Sequence, residues 1–406
     1  MHRLHLFESY ARQSYLGALP DRSETQKFVE FFDVYSSLKM TQEDLKRLFV
    51  LDKEFDRVRE LRKTSYMKEI LNLDTEREKF LEALQEGKKY NPVFRHHSQP
   101  YSQNGLVEKA QELIKEFRAF DCFLSPYYID KLEFLVTFGK IKKMDLDSLA
   151  YGRAMLDLYG GRVDPALVTA ARRIISKNPY VNVNKASQDI TAQELAKLAE
   201  QELKRLGYDK WKVVLYDNMI PRMGVKDKYE VKVNSEARFS KRDVPGLLAH
   251  ELEGHVGRRF HGDLTGLRLF RSGLPGKNQL DEGLAIWKSL QVKTPKPNVL
   301  FNIALFTLLA SKCDSMDFYE LFQFGKRYIP DNDKKLFSKV MRIKKICHDT
   351  SLLTGDLEEQ EYLAGYLLVE KMSDREREEI LKYNIGPEQF GELDRVKAFL
   401  RLNELL

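Results

Sequence analysis

Two histidines and a glutamate carry the first chemical signal in this 406-residue chain. Within residues 238–262, RFSKRDVPGLLAHELEGHVGRRFHG, the side chains of His250, Glu251 and His255 stand in the order HExxxH. Paired imidazoles on one helical face, with a carboxylate beside the first, bind zinc and activate a water molecule. The usual spacing, HExxH, is one residue shorter. In a regular helix four residues turn about 400° and leave the pair about 40° apart, whereas five turn about 500° and leave about 140°. A single-turn π-bulge absorbs one extra residue. The spacing therefore predicts a widened turn between Glu251 and His255, which Gly254 would ease.

Two ligands alone do not make a site, because the plain alternative is a pair of ordinary core or surface histidines. A third ligand decides. His261 follows His255 by six residues, as the third histidine of a metzincin does, but Gly257 comes one position too early for that pattern. Glu282, in LDEGLAIW, is the preferred candidate: a helix opened by Asp281 or Gln279 would present its carboxylate to a site of His, His and Glu type. Its plain reading is a first-turn acid favoured by the helix dipole.

These residues need elements to hold them. Asp243 with Pro245 opens the helix that carries the histidines. Upstream, Thr191 and Glu194 form a capping-box signature for a helix running through Leu206 and ended by Gly207. Two β-rich runs follow, Trp211 to Tyr216 and Tyr229 to Asn234, joined by a segment containing Pro221 and Gly224. In the second, Tyr229, Val231 and Val233 alternate with polar residues, as in a strand with one wet face. It is read as an edge strand along which a substrate peptide adds its backbone, so Tyr229, Val231 and Val233 are candidate substrate contacts. Amphipathic helices are expected from Thr41 to Leu84, from Leu106 to Phe117, around Asp145 to Leu158 and from Ala166 to Ser176. The Pro, Asn and Ser content of Lys88 to Asn104 marks a connection, dividing an N-terminal helical region (1–104) from a catalytic domain (105–406).

Composition narrows the classes. The 67 Lys and Arg exceed the 61 Asp and Glu by only 6 charges, so charge alone indicates no nucleic-acid binder, and 24 Phe with 19 Tyr exclude a disordered chain. The three cysteines, Cys122, Cys313 and Cys347, form no CxxC pair, which argues for a reduced, cytoplasmic protein. Neither the start of the chain nor the apolar run Leu300 to Ala310 has the length of a secretion signal or a membrane span, and the run is read as a buried helix. Adjacent Cys347 and His348 diverge on a helix and are read as structural. His2 with His5 and His96 with His97 lack a carboxylate in a suitable frame.

The motifs together resemble the tyrosine/phenylalanine carboxypeptidase family, the flavohaemoglobin expression-modulating QEGLA-motif proteins, related to the microtubule-associated tyrosine carboxypeptidases. That family pairs HExxxH with a downstream EGLA. Fainter likeness is visible in YNPVFRH (90–96), SLAYG (148–152) and EYLAGYLLVE (361–370), so the resemblance spans about residues 88–372. It implies that His250, His255 and Glu282 hold one zinc ion, that Glu251 is the catalytic acid and base, and that an aromatic C-terminal residue is released. There are departures. Asp281 replaces the usual Gln of QEGLA, and LTGDLEEQ (353–360) replaces a threonine-lysine-aspartate stretch, which bears on substrate choice. Where His261 stands the family often has Asn, which counts against a metzincin-like site.

A carboxypeptidase must also grip a terminal carboxylate, for which Arg or Lys is the physical need. Positive charge is densest from Lys326 to Lys345, where eight basic residues face only Asp331 and Asp333. Arg342 and Lys344 are the candidates there, in a groove that attracts an acidic C-terminal tail; the plain alternative is a solvated helix face over Phe337, Val340 and Ile343. The expectation is an α+β, mostly helical, zincin-like metallopeptidase with a small β-sheet beside the metal-binding helix. Its rivals are a zinc-containing binding protein that docks an acidic partner and a zinc amidase or aminopeptidase.

Overall fold

The computed structural model describes residues 40, 42–63, 70–96, 105–145, 148–181, 189–217, 221–226, 229–274 and 277–405. The start of the chain, with His2 and His5, lies outside the described residues, as does His97. Helices come in long succession: α1 (Gln42–Lys63), α2 (Leu73–Gln85), α3 (Leu106–Phe120), α4 (Ser125–Ile141), α5 (Leu149–Leu158), α6 (Pro165–Lys177) and α7 (Ala192–Arg205) precede the strands β1 (Lys212–Tyr216), β2 (Met223–Lys226) and β3 (Glu230–Asn234). After them come α8 (Val244–Leu248), a π-helix (Ala249–Val256), α9 (Gly257–Leu264), α10 (Arg268–Ser272), α11 (Lys277–Gln291), α12 (Val299–Ala310), α13 (Phe318–Lys326), α14 (Asp333–Lys344), α15 (Gln360–Lys371) and α16 (Asp374–Tyr383). A 3-10 turn (Pro387–Glu392) and α17 (Leu393–Leu405) close the chain. The fold is α+β and mostly helical.

The local signals act where their chemistry places them. Thr191 Oγ accepts from Glu194 N while the Glu194 carboxylate accepts from Thr191 N, satisfying two donors that the start of α7 leaves without a partner. Gly207, at φ 74°, ends that helix in the left-handed conformation. Val299–Ala310 is a buried helix, and among the described residues no helix is long and apolar enough to cross a membrane.

The sheet departs from the expectation. The segment with Pro221 and Gly224 supplies β2, and the strand order is β1-β3-β2, with β3 parallel to β1 and antiparallel to β2. Glu230–Asn234 is therefore the central strand, both of its edges are occupied, and Val231 and Val233 are fully buried. No peptide can add to it. The even alternation along this strand reports one face on the core, but it carries no information about what pairs with the edges. Tyr229 takes a positive φ of 56° beneath the Arg271 guanidinium, 4.4 Å from its ring centroid, and is likewise withdrawn as a strand-edge contact.

Three apolar clusters position the site. One holds the inner face of the sheet, α7 and the π-helix together through Leu195, Leu203, Val231, Val233, Leu252 and Val256. A second joins α2 to α12, α13 and α14, with Phe80 touching the rings of Phe318, Phe322 and Phe337. The third joins α1, α3 and α4 to α10, α11 and the C-terminal helices. Residues on both sides of the Lys88–Asn104 connection thus share cores. Asp52, buried on α1, accepts hydrogen bonds from Tyr128 Oη at 2.6 Å and from the amides of Arg268 and Leu269 at 2.7 and 3.0 Å, tying the N-terminal helices to the start of α10.

Candidate active site

The π-helix spans Ala249–Val256, so the widened turn falls on HExxxH itself. Its effect is geometric: the ring centroids of His250 and His255 lie 4.9 Å apart instead of facing away from each other. Gly254 is needed for a different reason from the one the sequence suggested. A Cβ there would meet the Cα and Cβ of Ala285 at 2.7 Å, so the glycine lets the π-helix press against α11. The same device recurs one layer on. A Cβ on Gly283 would meet the carbonyl of Gly365 at 2.3 Å, and one on Gly365 would meet Gln279 O at 1.7 Å. The glycines of EGLA and EYLAG are thus the crossing point of α11 and α15, which sets where Glu282 can reach.

Glu282 Oε2 reaches the two histidines, 3.8 Å from His250 Nε2 and 3.6 Å from His255 Nε2. One ligand atom from each of the three residues lies within 4.8 Å of the others, the only such group among the described residues. Glu282 Oε2 is buried and has no hydrogen-bond donor. A buried carboxylate oxygen is normally bonded, and one aimed at two imidazole nitrogens fits a divalent cation. His261 is not part of the group. It lies edge-on to Phe260, half-buried.

Charge supports the same fit. Glu251, Asp281 and Glu282 are gathered around the histidines, and burial pushes the carboxyl of Glu251 up and that of Glu282 up to about 7. Burial and the nearby His255 push His250 down to about 3, leaving a neutral ring with a lone pair to donate. Burial acts on His255 in the same direction, but Asp281 and Glu282 outweigh it and hold the ring up at about 9. The carboxylates therefore call for positive charge at the point where the two rings and Glu282 meet.

Next to these residues lie Asp281, whose role the sequence does not reveal, and Arg258, which it does not single out. Asp281 Oδ2 lies 3.2 Å from His255 Nδ1, on the side of the ring away from Glu282. Asp281 Oδ1 is 3.6 Å from the fully buried Arg258, whose guanidinium also donates to the carbonyls of Ile380 and Ile385. Asp281 does not open the helix, as its sequence context suggests, because α11 starts at Lys277 and places it in the second turn. An acid next to a ligand is the signal, but only the fold shows that it meets the other face of His255. Tyr362, on α15, feels the Glu282 carboxylate most strongly, and the Arg342 guanidinium lies 5.9 Å from its ring centroid.

The two basic candidates separate. Lys344 is fully buried, and its Nζ donates to the carbonyls of Cys313, Met316 and Leu352 at 3.3, 2.7 and 2.8 Å. It fastens loops and is not available to a substrate, a correction that follows from its place on the inner face of α14. Arg342 stays partly exposed, paired with Glu359 at 2.8 Å and lying 4.6 Å from the centroid of Phe306. Cys347 is buried, and the His348 ring stacks on His96 at 5.0 Å.

No curated protein matches the chain. A model of the microtubule-associated tyrosine carboxypeptidase family matches residues 80–381, from the second helix to the end of α16 and across every residue of the histidine, glutamate and glycine layers just described. Because that match covers well over half of its length, the chain belongs to the microtubule-associated tyrosine carboxypeptidase family.

Proposed function

We propose that the protein is a zinc-dependent carboxypeptidase of zincin-like architecture that releases a C-terminal tyrosine or phenylalanine from a peptide or protein tail. The observation that carries this reading is the convergence of His250, His255 and Glu282 on one point, with Glu251 buried beside them. His250, His255 and Glu282 would hold the ion, which supplies a Lewis acid and a water of pKa about 7. Glu251 takes the proton from the attacking water on its carboxylate and returns it to the amine of the departing residue. Asp281 keeps the His255 ring oriented through Nδ1. A purely structural metal site needs no general base, which favours catalysis over a docking role.

The substrate backbone has one edge suited to it. β2 packs against the π-helix and pairs with β3 on one side only among the described strands, so a peptide running along Met223–Lys226 would pass the histidines. The family description supplies tyrosine as the residue released. The basic residues of α14 other than Lys344 favour an acidic tail, and cysteines that form no disulfide suit a reducing compartment such as the cytoplasm. Metal analysis of the purified protein, together with cleavage of peptides ending in Tyr, Phe or Ala, tests the reading. One equivalent of zinc and release of Tyr or Phe that a chelator abolishes are expected. Zinc-free protein with undiminished cleavage, or cleavage at internal bonds, would overturn it.

A further inference from the structure

Lys339 is 7 % exposed, with its stem buried and its ammonium at the edge of the packed region. Its Nζ lies 4.4 Å from the centroid of Phe306, on a ring that also carries Arg342 at 4.6 Å. Lys335 and Lys296 act on it as further positive charges, and Glu359, the acid that acts on it, gives its Oε1 to Arg342 and Lys345. Holding a largely buried ammonium is costly, and crowding it with cations makes it more so. Side chains survive in such places when a bound ligand supplies the missing charge.

The cluster also adjoins the metal ligands. Arg342 lies 5.9 Å from the centroid of Tyr362, on which Glu282 acts most strongly, and Lys296 acts on both Lys339 and His250. The packing order runs from α14 through α12 and α15 to α11, which bears Glu282. We infer that Lys339, with Arg342 and Lys335 beside it, is the receptor for the free α-carboxylate of the substrate, an assignment that rests on the peptidase reading above. Phe306 offers an aromatic surface next to that carboxylate. Burial and neighbouring cations hold the Lys339 ammonium down at about 7, as expected of a group whose partner arrives with the ligand.

The test uses the full chain carrying Glu251→Gln, so that binding is read without turnover. Calorimetry measures an acetylated Ala-Ala-Ala-Ala-Tyr peptide with a free carboxylate, the same peptide as its C-terminal amide, and an amide with one internal Glu. The free acid is expected to bind at least tenfold more tightly than the plain amide. Adding Lys339→Met should weaken the acid roughly 10–100-fold, the worth of a charge-assisted hydrogen bond, and leave the amide unchanged. Lys339→Gln repeats the test, and a melting midpoint no lower than that of the parent separates lost recognition from lost structure. An acid-to-amide ratio that ignores both substitutions overturns the assignment, as does an internal Glu whose binding alone depends on Lys339. The two ideas fail separately. If wild-type protein leaves all peptides intact while the ratio still responds, the peptidase reading falls and the receptor stands; if it cleaves the acid and the ratio does not respond, only the receptor falls.

Discussion

Two pairs of like residues in this protein stand five positions apart on a helix, and the chain treats them in opposite ways. His250 and His255 would diverge by about 140° in a regular helix, but the π-helix brings their rings to 4.9 Å. Lys339 and Lys344 lie on α14, an ordinary α-helix, and keep that divergence. Lys344 points at three carbonyls; Lys339 lies over the Phe306 ring. The same contrast separates the buried acids, since Asp52 accepts three hydrogen bonds and Glu282 Oε2 accepts none. Burial by itself does not distinguish a working residue from a structural one. The missing partner does.

Substitutions can break this contrast or sharpen it. The largest expected effect is structural: Lys344→Met leaves three carbonyls without a donor, at about 1–3 kcal/mol each, and should lower the denaturant midpoint severely or prevent folding. Retained stability would show that the loops need no such anchor. Glu251→Gln should leave metal content and melting behaviour intact while lowering kcat about 10²–10⁴-fold, measured as released tyrosine. Loss of metal together with activity would instead make Glu251 part of the binding shell.

Lys339→Met should act in the opposite sense to Lys344→Met and raise stability by about 1–4 kcal/mol, the range seen when buried charge gives way to apolar packing. The pH dependence fixes the sign. Burial comes first, then Lys335, Arg342 and Lys296 against Glu359, in holding Lys339 at about 7 from its ordinary 10.5. Between those values the unfolded chain binds a proton that the folded one does not, so the stability of the native protein rises with pH across the window. The gain from Lys339→Met is therefore full below pH 7 and shrinks towards pH 10, which urea titrations at several pH values would reveal. A gain that does not vary with pH would show that Lys339 carries no such penalty. The smallest effect concerns Asp281→Ala, which removes the support of His255 Nδ1 and should weaken zinc affinity about 10–100-fold with little change in the melting midpoint of the metal-free protein.

The sequence by itself named the residues that converge and the local shape of their helix. Residue types at a fixed separation are enough to require a π-turn at His250–His255, a capping box is enough to start α7, and an apolar run is enough to specify α12, because each of these depends on neighbours in the chain. What only the tertiary structure decided depends on partners far apart. Whether Glu230–Asn234 is an edge or a centre follows from β2, hidden in a segment that reads as a turn. Gly283, Gly365 and Gly254 matter through helix crossings that no spacing reveals. Lys339 and Lys344 are equivalent as letters in a basic run, and only the packing around α14 gives one of them three carbonyl acceptors and sets the other against an aromatic ring, since a charge is satisfied by what surrounds it in space and not by what precedes it in the chain.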